Sequence, residues 1–431
     1  MSQTYKVRPY KKGALKAVLS LPGSKSITNR ALMMSALARG NTRLSNFLFS
    51  DDTVFMARAL ESAGISVKSD ENNKTCEVAG GLLPSGGLSV FLGNAGTAVR
   101  FLTSYFTLGS GLYRIDGDER MRKRPIKDLL DALAQLGCDI RSENSNGCPP
   151  VIINANGLEG GKCTVAGENS SQYISSVLMA SPYSRKGVTV ETAGRVASGP
   201  YIEMTMAMMN QFRVKCARDG LREFRIGPGE YISPREYLIE PDASSSSYFL
   251  AGAAVLGGEI VLRGLGSGSI QGDAKFASVL EKMGCGVEIG IDSIKLSSDG
   301  RLRGISIDMN DIPDMAMTLA VTALFAEGST AIKNVPNLRI KESDRISALS
   351  AELKKLGAGI KENADGIEIF PASLYNSAVI NTYNDHRIAM SFSIAGLMID
   401  GIEIDNPSCV SKTFPDYFEY FGRVFENPLI F

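Results

Sequence analysis

Residues 129–140 read LLDALAQLGCDI: an apolar stripe at helical spacing, a glycine at 137, then a short run that suits a strand. A glycine there fits the left-handed cap that ends a helix, and β-branched residues beyond it fit extended chain. The pattern returns as ALESAGI (59–65), VLEKMGCGV (279–287) and ELKKLGAGI (352–360), with glycines at 64, 137, 284 and 357. Those glycines are 73, 147 and 73 apart, and a degenerate copy, MTMAMMNQFRV with its helix ending at Phe212, fills the double gap. Upstream of each copy a small or polar residue opens an apolar helix, at Ser26, Thr97, Ser171, Ser245, Asp314 and His386, in steps of 71, 74, 74, 69 and 72. Short strands begin near glycines between the two series, as in GNTRLSN, GLYRI, GVTVE, GEIVL, GSTAI and GIEID. Any α/β protein alternates helix and strand, but one period kept along a whole chain points to duplication. The expected class is therefore α/β, with six repeats of helix, strand, helix, strand in 431 residues.

An apolar helix that opens on Ser, Thr, Gly or Asp presents free backbone N–H groups and a positive dipole end, which suit phosphate or carboxylate. If symmetry relates the repeats, several such ends point to one place, and a small polyanion is the expected ligand. Composition agrees and excludes other classes. The chain carries 46 Lys+Arg against 46 Asp+Glu, so neither nucleic acid nor acidic membrane is expected as a partner. The balance is uneven, because residues 1–50 hold nine Lys/Arg and no acid. Within that stretch Lys6 and Lys11 read as ordinary surface, and Lys25 and Arg30 as ligand cations. A single histidine, His386, rules out His-rich and two-histidine metal sites, and no carboxylate cage suits Mg²⁺, so no metal or other cofactor is expected. Seven cysteines without a CxxC pair read as reduced thiols of a cytoplasmic protein. The apolar stretch Met315 to Ala326 is too short to span a bilayer, and the N-terminus lacks a long apolar run, so neither anchor nor signal segment is expected.

The cations and hydroxyls fall at equivalent places in the repeats. LPGSKSITNRAL (21–32) offers Lys25, Ser26 and Arg30 around a helix start and lacks the glycines of a phosphate-binding P-loop. LGNAGTAVRFLTSYF (92–106) has Gly96, where a backbone N–H can face a ligand with no side chain in the way, and Arg100 shortly after. DGDERMRKRPIKDLL (116–130) is a charge run in which one or two cations touch a ligand, with Pro125 placed to start a helix. GENSSQY (167–173) supplies Ser170, Ser171 and Gln172, and ASGPY (197–201) adds Ser198 and Tyr201. IPDMAMT (312–318) sets Asp314 on the first turn of an otherwise apolar helix, where a buried charge needs a partner or a task. VPNLRIKESDR (335–345) crowds Asn337, Lys341, Glu342 and Arg345, and cations around Glu342 oppose burial in setting its proton affinity. NDHR (384–387) brings Arg387, and SKTFPDYF (411–418) brings Lys412. No nucleophile motif appears, which favours acid–base and electrostatic chemistry.

These blocks, in this order and covering nearly the whole chain, resemble the 5-enolpyruvylshikimate-3-phosphate synthase family of enolpyruvyl transferases. The resemblance implies two domains, each of three repeats about a pseudo-threefold axis. They comprise residues 22–239, and residues 1–21 with 240–431, with the active site in the cleft between them. It implies transfer of the enolpyruvyl group of phosphoenolpyruvate to the 5-hydroxyl of shikimate 3-phosphate with release of phosphate, by a monomer without a cofactor. By resemblance Glu342 is the proton donor, Asp314 accepts the hydroxyl proton and Lys25 bridges both substrates. Gly96, Arg124, Gln172, Arg345, Arg387 and Lys412 form the phosphoenolpyruvate site with Lys25. Ser26, Arg30, Ser170, Ser171, Gln172, Ser198, Tyr201, Asp314, Asn337 and Lys341 form the shikimate 3-phosphate site, again with Lys25. The chain departs from the family pattern at Gly199, where a basic residue is common, at Phe101, where proline is common, and at Pro241, where glycine is usual. A related family that acts on a UDP-sugar should show a loop cysteine near 114–125, and none is there.

Overall fold

The computed structural model describes residues 4–10 and 15–426, which leaves Lys11 outside and shows Lys6 exposed. Its helices follow the spacing of the repeats: α1 (Lys25–Leu37), α2 (Asp51–Ser62), α3 (Gly96–Thr107), α4 (Lys127–Gln135), α5 (Ser171–Ala180) and α6 (Gly199–Gln211). Then come α7 (Ala243–Leu256), α8 (Phe276–Lys282), α9 (Ala316–Thr322), α10 (Arg345–Lys355), α11 (His386–Gly396) and α12 (Tyr417–Phe421). The odd-numbered helices are the apolar ones, and apolarity on all sides makes a helix a core element. Every residue of α3, α7, α9 and α11 is buried. Two hydroxyl pairs cross the helix contacts, Ser104 with Ser176 at 2.6 Å and Ser247 with Thr318 at 3.0 Å, while others such as Thr103 and Thr322 bond the carbonyl one turn back. The even-numbered helices lie outside. In α4, Leu129, Leu130, Ala132 and Leu133 face inward while Lys127 and Asp131 face solvent.

The glycines that close α2, α4, α8 and α10 all have positive φ: 93° at Gly64, 91° at Gly137, 110° at Gly284 and 98° at Gly357. In the degenerate copy the left-handed position falls to Arg213, with φ of 70°, so the break comes one residue after the expected Phe212. Two helix starts also shift. Pro125 does not begin a helix; α4 starts at Lys127, and the Pro125 carbonyl instead accepts from Arg100 and the Tyr173 hydroxyl. Asp314 lies in a 3₁₀ turn, Pro313–Met315, ahead of α9, because proline fixes the turn's first residue.

Each repeat is richer than helix, strand, helix, strand. In the third, strand 161–166 runs parallel to 188–193, which pairs antiparallel with 223–226, which pairs with 217–219. Five four-stranded sheets share this strand arrangement, one sheet has three strands, and a two-stranded ladder joins 302–303 to 326–327. Three sheets are completed by distant chain: Glu236–Leu238 beside Asn41–Ser45, Leu15–Ser20 beside Gly258–Arg263, and Tyr5–Lys6 beside Ile402–Ile404. The contacts divide the chain into two units, Gly23–Glu240 and Met1–Pro22 with Pro241–Phe431, each with three repeats. Pro241 packs over Gly264, where a Cβ would come within 2.7 Å of the proline ring.

Candidate active site

Within Gly23–Glu240, the start of α1 has no side-chain cap and no acid in its first turn, so its N–H groups keep their positive end. Lys25 reaches Asp52 at 3.2 Å. That aspartate sits in the first turn of α2, whose start is fixed by a capping box between Ser50 and Thr53. Ser26 turns its carbonyl to Arg30 Nη1 at 3.0 Å. Arg30 is 1% exposed, and its other donors go to Thr205 Oγ1 (2.8 Å), the Tyr201 carbonyl (3.2 Å) and Ser175 Oγ (3.4 Å). Its guanidinium lies 5.1 Å from the centre of the Phe101 ring and 5.9 Å from that of Tyr201. Burial pulls its pKa down to about 10, so it is still a cation at neutral pH. Arg30, on the second turn of α1, thus points into a setting of neutral groups, and Phe101, one of the departures from the pattern of the resembled family, forms one wall of it.

At the start of α3 the absence of a side chain at Gly96 makes room for two guanidinium groups. A Cβ there would lie 2.6 Å from Arg100 Nη1 and 2.7 Å from Arg124 Nη2. Arg124 is held by Asn94 Oδ1 at 2.8 Å, and Arg100 by the Gly96 carbonyl at 2.9 Å. The other cations here reach solvent: Arg122 pairs with the buried Asp116 at 2.6 Å, Arg114 with Glu143 at 2.7 Å, and Lys123 is exposed. Arg124 alone among the run's cations from 122 to 124 is buried. Gln172, in the first turn of α5, donates to Thr97 Oγ1 at 3.3 Å and so ties that start to α3. Ser170 caps α5 through the Gln172 N–H, and Ser171 beside it is buried. Ser198 is left-handed, with φ of 57°, just ahead of α6. Gly199 follows it under Leu221, where a Cβ would come within 2.8 Å of a methyl. A basic residue there needs Leu221 to move.

Within the other unit, Arg345 is the centre of a charge network and is 1% exposed. Its Nη1 bonds Asp314 Oδ1 at 3.0 Å, its Nη2 bonds Glu342 Oε2 at 2.9 Å and its Nε bonds Asp385 Oδ2 at 2.8 Å. Arg387 Nη2 takes the other Asp314 oxygen at 2.9 Å, and Lys412 Nζ lies 4.0 Å from Glu342. Burial alone raises the proton affinity of Asp314; Arg387, Lys341 and Arg345 outweigh it and hold the carboxyl well below the usual range. The carboxylates around Arg345, Asp385 first, overcome its own burial and raise its pKa. Asn337 is buried, and its Oδ1 has no hydrogen-bond partner among the described residues. Among those residues no group of three His, Cys, Asp or Glu side chains is placed to hold a metal ion.

Two carboxylates of these networks are absent from the expected ligand set. Asp385 caps α11 through the Arg387 N–H at 3.0 Å and braces Arg345. Its signal was its place just before an apolar helix. Asp52 braces Lys25, and with Asp51 it is the first acid after fifty acid-free residues. The six helix starts are also less alike than their spacing implies. Side chains cap α5, α7 and α11 (Ser170, Asp242 and Asp385), whereas α1 and α3 have no such cap.

A family model described as EPSP synthase (3-phosphoshikimate 1-carboxyvinyltransferase) matches residues 9–421. A 3-phosphoshikimate 1-carboxyvinyltransferase of Shewanella baltica is 47% identical over 410 residues, covering 94% of this chain and 96% of that protein. One from Shewanella oneidensis is 48% identical over the same shares. A solved EPSP synthase structure from Acinetobacter baumannii superposes with a TM-score of 0.80 at 26% identity, covering 98% of each chain.

Proposed function

The chain belongs to the EPSP synthase family, with its two-domain enolpyruvyl-transferase fold, and it transfers the enolpyruvyl group of phosphoenolpyruvate to shikimate 3-phosphate in the shikimate pathway; from that premise we propose how its residues do so. The observation that supports the assignment is the network in which one buried arginine holds both Asp314 and Glu342. An acid, a base and the cations that tune them are thereby fixed relative to one another.

Glu342 gives a proton to the methylene carbon of phosphoenolpyruvate, which leaves the adjoining carbon electrophilic. The 5-hydroxyl of shikimate 3-phosphate adds there, and Asp314 takes its proton. The new methyl group then returns a proton to Glu342 as the C–O bond to phosphate breaks, and the departing phosphate takes the proton held by Asp314, which restores the enol ether and both carboxyl groups and frees inorganic phosphate. Asp314 is ionised before substrate binds, since nearby cations depress its pKa. Once an anionic substrate shares Arg387, part of that field is neutralised and the basicity of Asp314 rises. Arg124, Gly96 and Gln172 from one unit, and Arg345, Arg387 and Lys412 from the other, take the phosphoenolpyruvate anion. Arg345 reaches it by exchanging one of its carboxylates. Lys25, Ser26, Ser170, Ser171, Gln172, Ser198 and Tyr201 take shikimate 3-phosphate with Asp314, Asn337 and Lys341. A ligand hydroxyl satisfies the buried Asn337 oxygen. Arg30 acts from beneath Ser26 through its charge. The two sets draw on both domains, residues 22–239 and residues 1–21 with 240–431.

The family resemblance supports a monomer as the working form. Zero net charge supports small molecules, without nucleic acid, as partners. No helix among the described residues is long and apolar enough to cross a membrane, and all seven cysteines are free. Free thiols support a reducing, cytoplasmic location.

The test is phosphate release from phosphoenolpyruvate with and without shikimate 3-phosphate, in the wild type and in Glu342→Ala. Release should require shikimate 3-phosphate, and the variant should lose about 100-fold or more in turnover, as loss of a general acid does. Wild-type turnover in the variant removes Glu342 from its role, and release driven by a UDP-sugar instead overturns the substrate assignment.

A further inference from the structure

Helix α10 grips the segment ahead of α11 at two places. Arg345, in its first turn, holds Asp385. Glu352 lies seven residues on, two turns along the same face, and reaches residues 381–383. Its side chain is 0% exposed, and both oxygens are engaged. Oε1 accepts from the Tyr383 hydroxyl at 2.8 Å, and Oε2 accepts from the Asn381 N–H at 3.1 Å and from Lys355 Nζ at 2.6 Å. A carboxylate buried this deeply is tolerated only with its acceptors satisfied.

What it holds is a strained turn. Tyr383 and Asn384 are both left-handed, with φ of 53° and 54°, and a bulky residue such as tyrosine rarely adopts that conformation. Such strain persists only where the surroundings over-determine it. The Asn381 side chain adds a bond to the Tyr383 N–H at 2.9 Å, and the Asp385 N–H closes the turn on the Thr382 carbonyl at 2.8 Å. The next residues along the chain are Asp385, which caps α11 and braces Arg345, and Arg387, which holds Asp314.

We propose that Glu352, acting through Tyr383 and Asn381, is a positioning residue for the phosphoenolpyruvate site: it locks the strained turn that sets Asp385 and Arg387 against Arg345 and Asp314. The proposal rests on the reading of Arg387 as a phosphoenolpyruvate ligand. The hydrogen bonds of Glu352 go to Lys355, Asn381 and Tyr383, none of them a candidate ligand residue, so its influence passes through the backbone of 381–385.

Steady-state kinetics of Tyr383→Phe, Glu352→Gln and Lys355→Ala test it, with each substrate varied at saturation of the other. Tyr383→Phe removes one hydrogen bond from a half-exposed side chain and leaves folding intact. It should raise the KM for phosphoenolpyruvate about fivefold while moving that for shikimate 3-phosphate less than about twofold. Glu352→Gln keeps the shape, weakens both acceptors and should do the same or more. Lys355→Ala removes the solvent-side partner and leaves both bonds to the turn, so it should lower the melting temperature while keeping both KM values within about twofold of the wild type. Because the effect is carried by Arg387, adding Tyr383→Phe to Arg387→Lys should cost little beyond Arg387→Lys alone. An unchanged KM for phosphoenolpyruvate in both Tyr383→Phe and Glu352→Gln overturns the proposal, as does an equal rise for both substrates or full additivity with Arg387→Lys. These results require an active wild type, whereas a wild type whose phosphate release ignores shikimate 3-phosphate fails the reading of the reaction itself.

Discussion

Asp314 carries opposing forces on one side chain. It is 20% exposed and bonded to two arginines, and Arg387, Lys341 and Arg345 together overcome its burial. A carboxyl whose folded pKa lies below its unfolded value of about 3.9 stabilises the fold fully above that value, and the contribution drains away as pH falls through the folded pKa. In Asp314→Asn both arginines lose a charged partner, at a cost of about 3 kcal/mol by the measure of broken buried pairs. The melting-temperature gap between wild type and Asp314→Asn should therefore be flat from about pH 5 to 8 and narrow below about pH 4. A gap that stays constant down to about pH 3 contradicts the depressed pKa. At this scale the sequence was most informative where residue type alone limits chemistry. Asp314 and Glu342 stand out because carboxylates among cations beside apolar helices need partners. The partner itself was less visible: that one guanidinium, Arg345, binds Asp314, Glu342 and Asp385 depends on three segments meeting, which no local pattern encodes.

Among the elements, the start of α3 is where backbone and side chains are most tightly coupled. Gly96 has an ordinary helical backbone, so alanine is acceptable to the helix and even favoured by about 1 kcal/mol. Space is the obstacle, since the new methyl would meet Arg100 and Arg124 at under 3 Å. Both contacts are with the ends of flexible side chains, which move before the helix does. Gly96→Ala should thus leave the melting temperature within a few degrees of wild type. It should raise the KM for phosphoenolpyruvate about tenfold or more by turning Arg124 away from its Asn94 brace. An unchanged KM would show that Arg124 does not act on that substrate. The same element shows what periodicity could and could not reveal. Six apolar helices at a common spacing were legible because each repeat has to bury the same helix. Their starts were not equally legible, because one capping residue, such as Asp242 or Asp385, decides whether a helix end is satisfied from within.

At the scale of the molecule, the repeats were readable along the chain while their closure was not. Strand 15–20 pairs with 258–263, and strand 236–238 with 41–45. Partners separated by some two hundred residues leave no mark in either segment. Those pairings have unequal consequences for the two units. Both strands of the second pairing lie inside the continuous unit Gly23–Glu240, which therefore contains all three of its sheets. The other unit depends on Met1–Pro22 for two of its sheets, through strands 15–20 and 5–6. A segment with its own core and complete sheets should fold alone. Expressed by itself, 23–240 should melt cooperatively, whereas 241–431 without the N-terminal strands should not. The isolated 23–240 segment also keeps Lys25, Ser26, Arg30, Ser170, Ser171, Gln172, Ser198 and Tyr201. It should bind shikimate 3-phosphate, measured calorimetrically, about 100-fold more weakly than the full chain, since Asp314, Asn337 and Lys341 are gone. It should release no phosphate from phosphoenolpyruvate. Affinity equal to that of the full chain would mean that the second unit contributes nothing to this substrate. No binding by a folded segment would move the shikimate 3-phosphate site out of Gly23–Glu240.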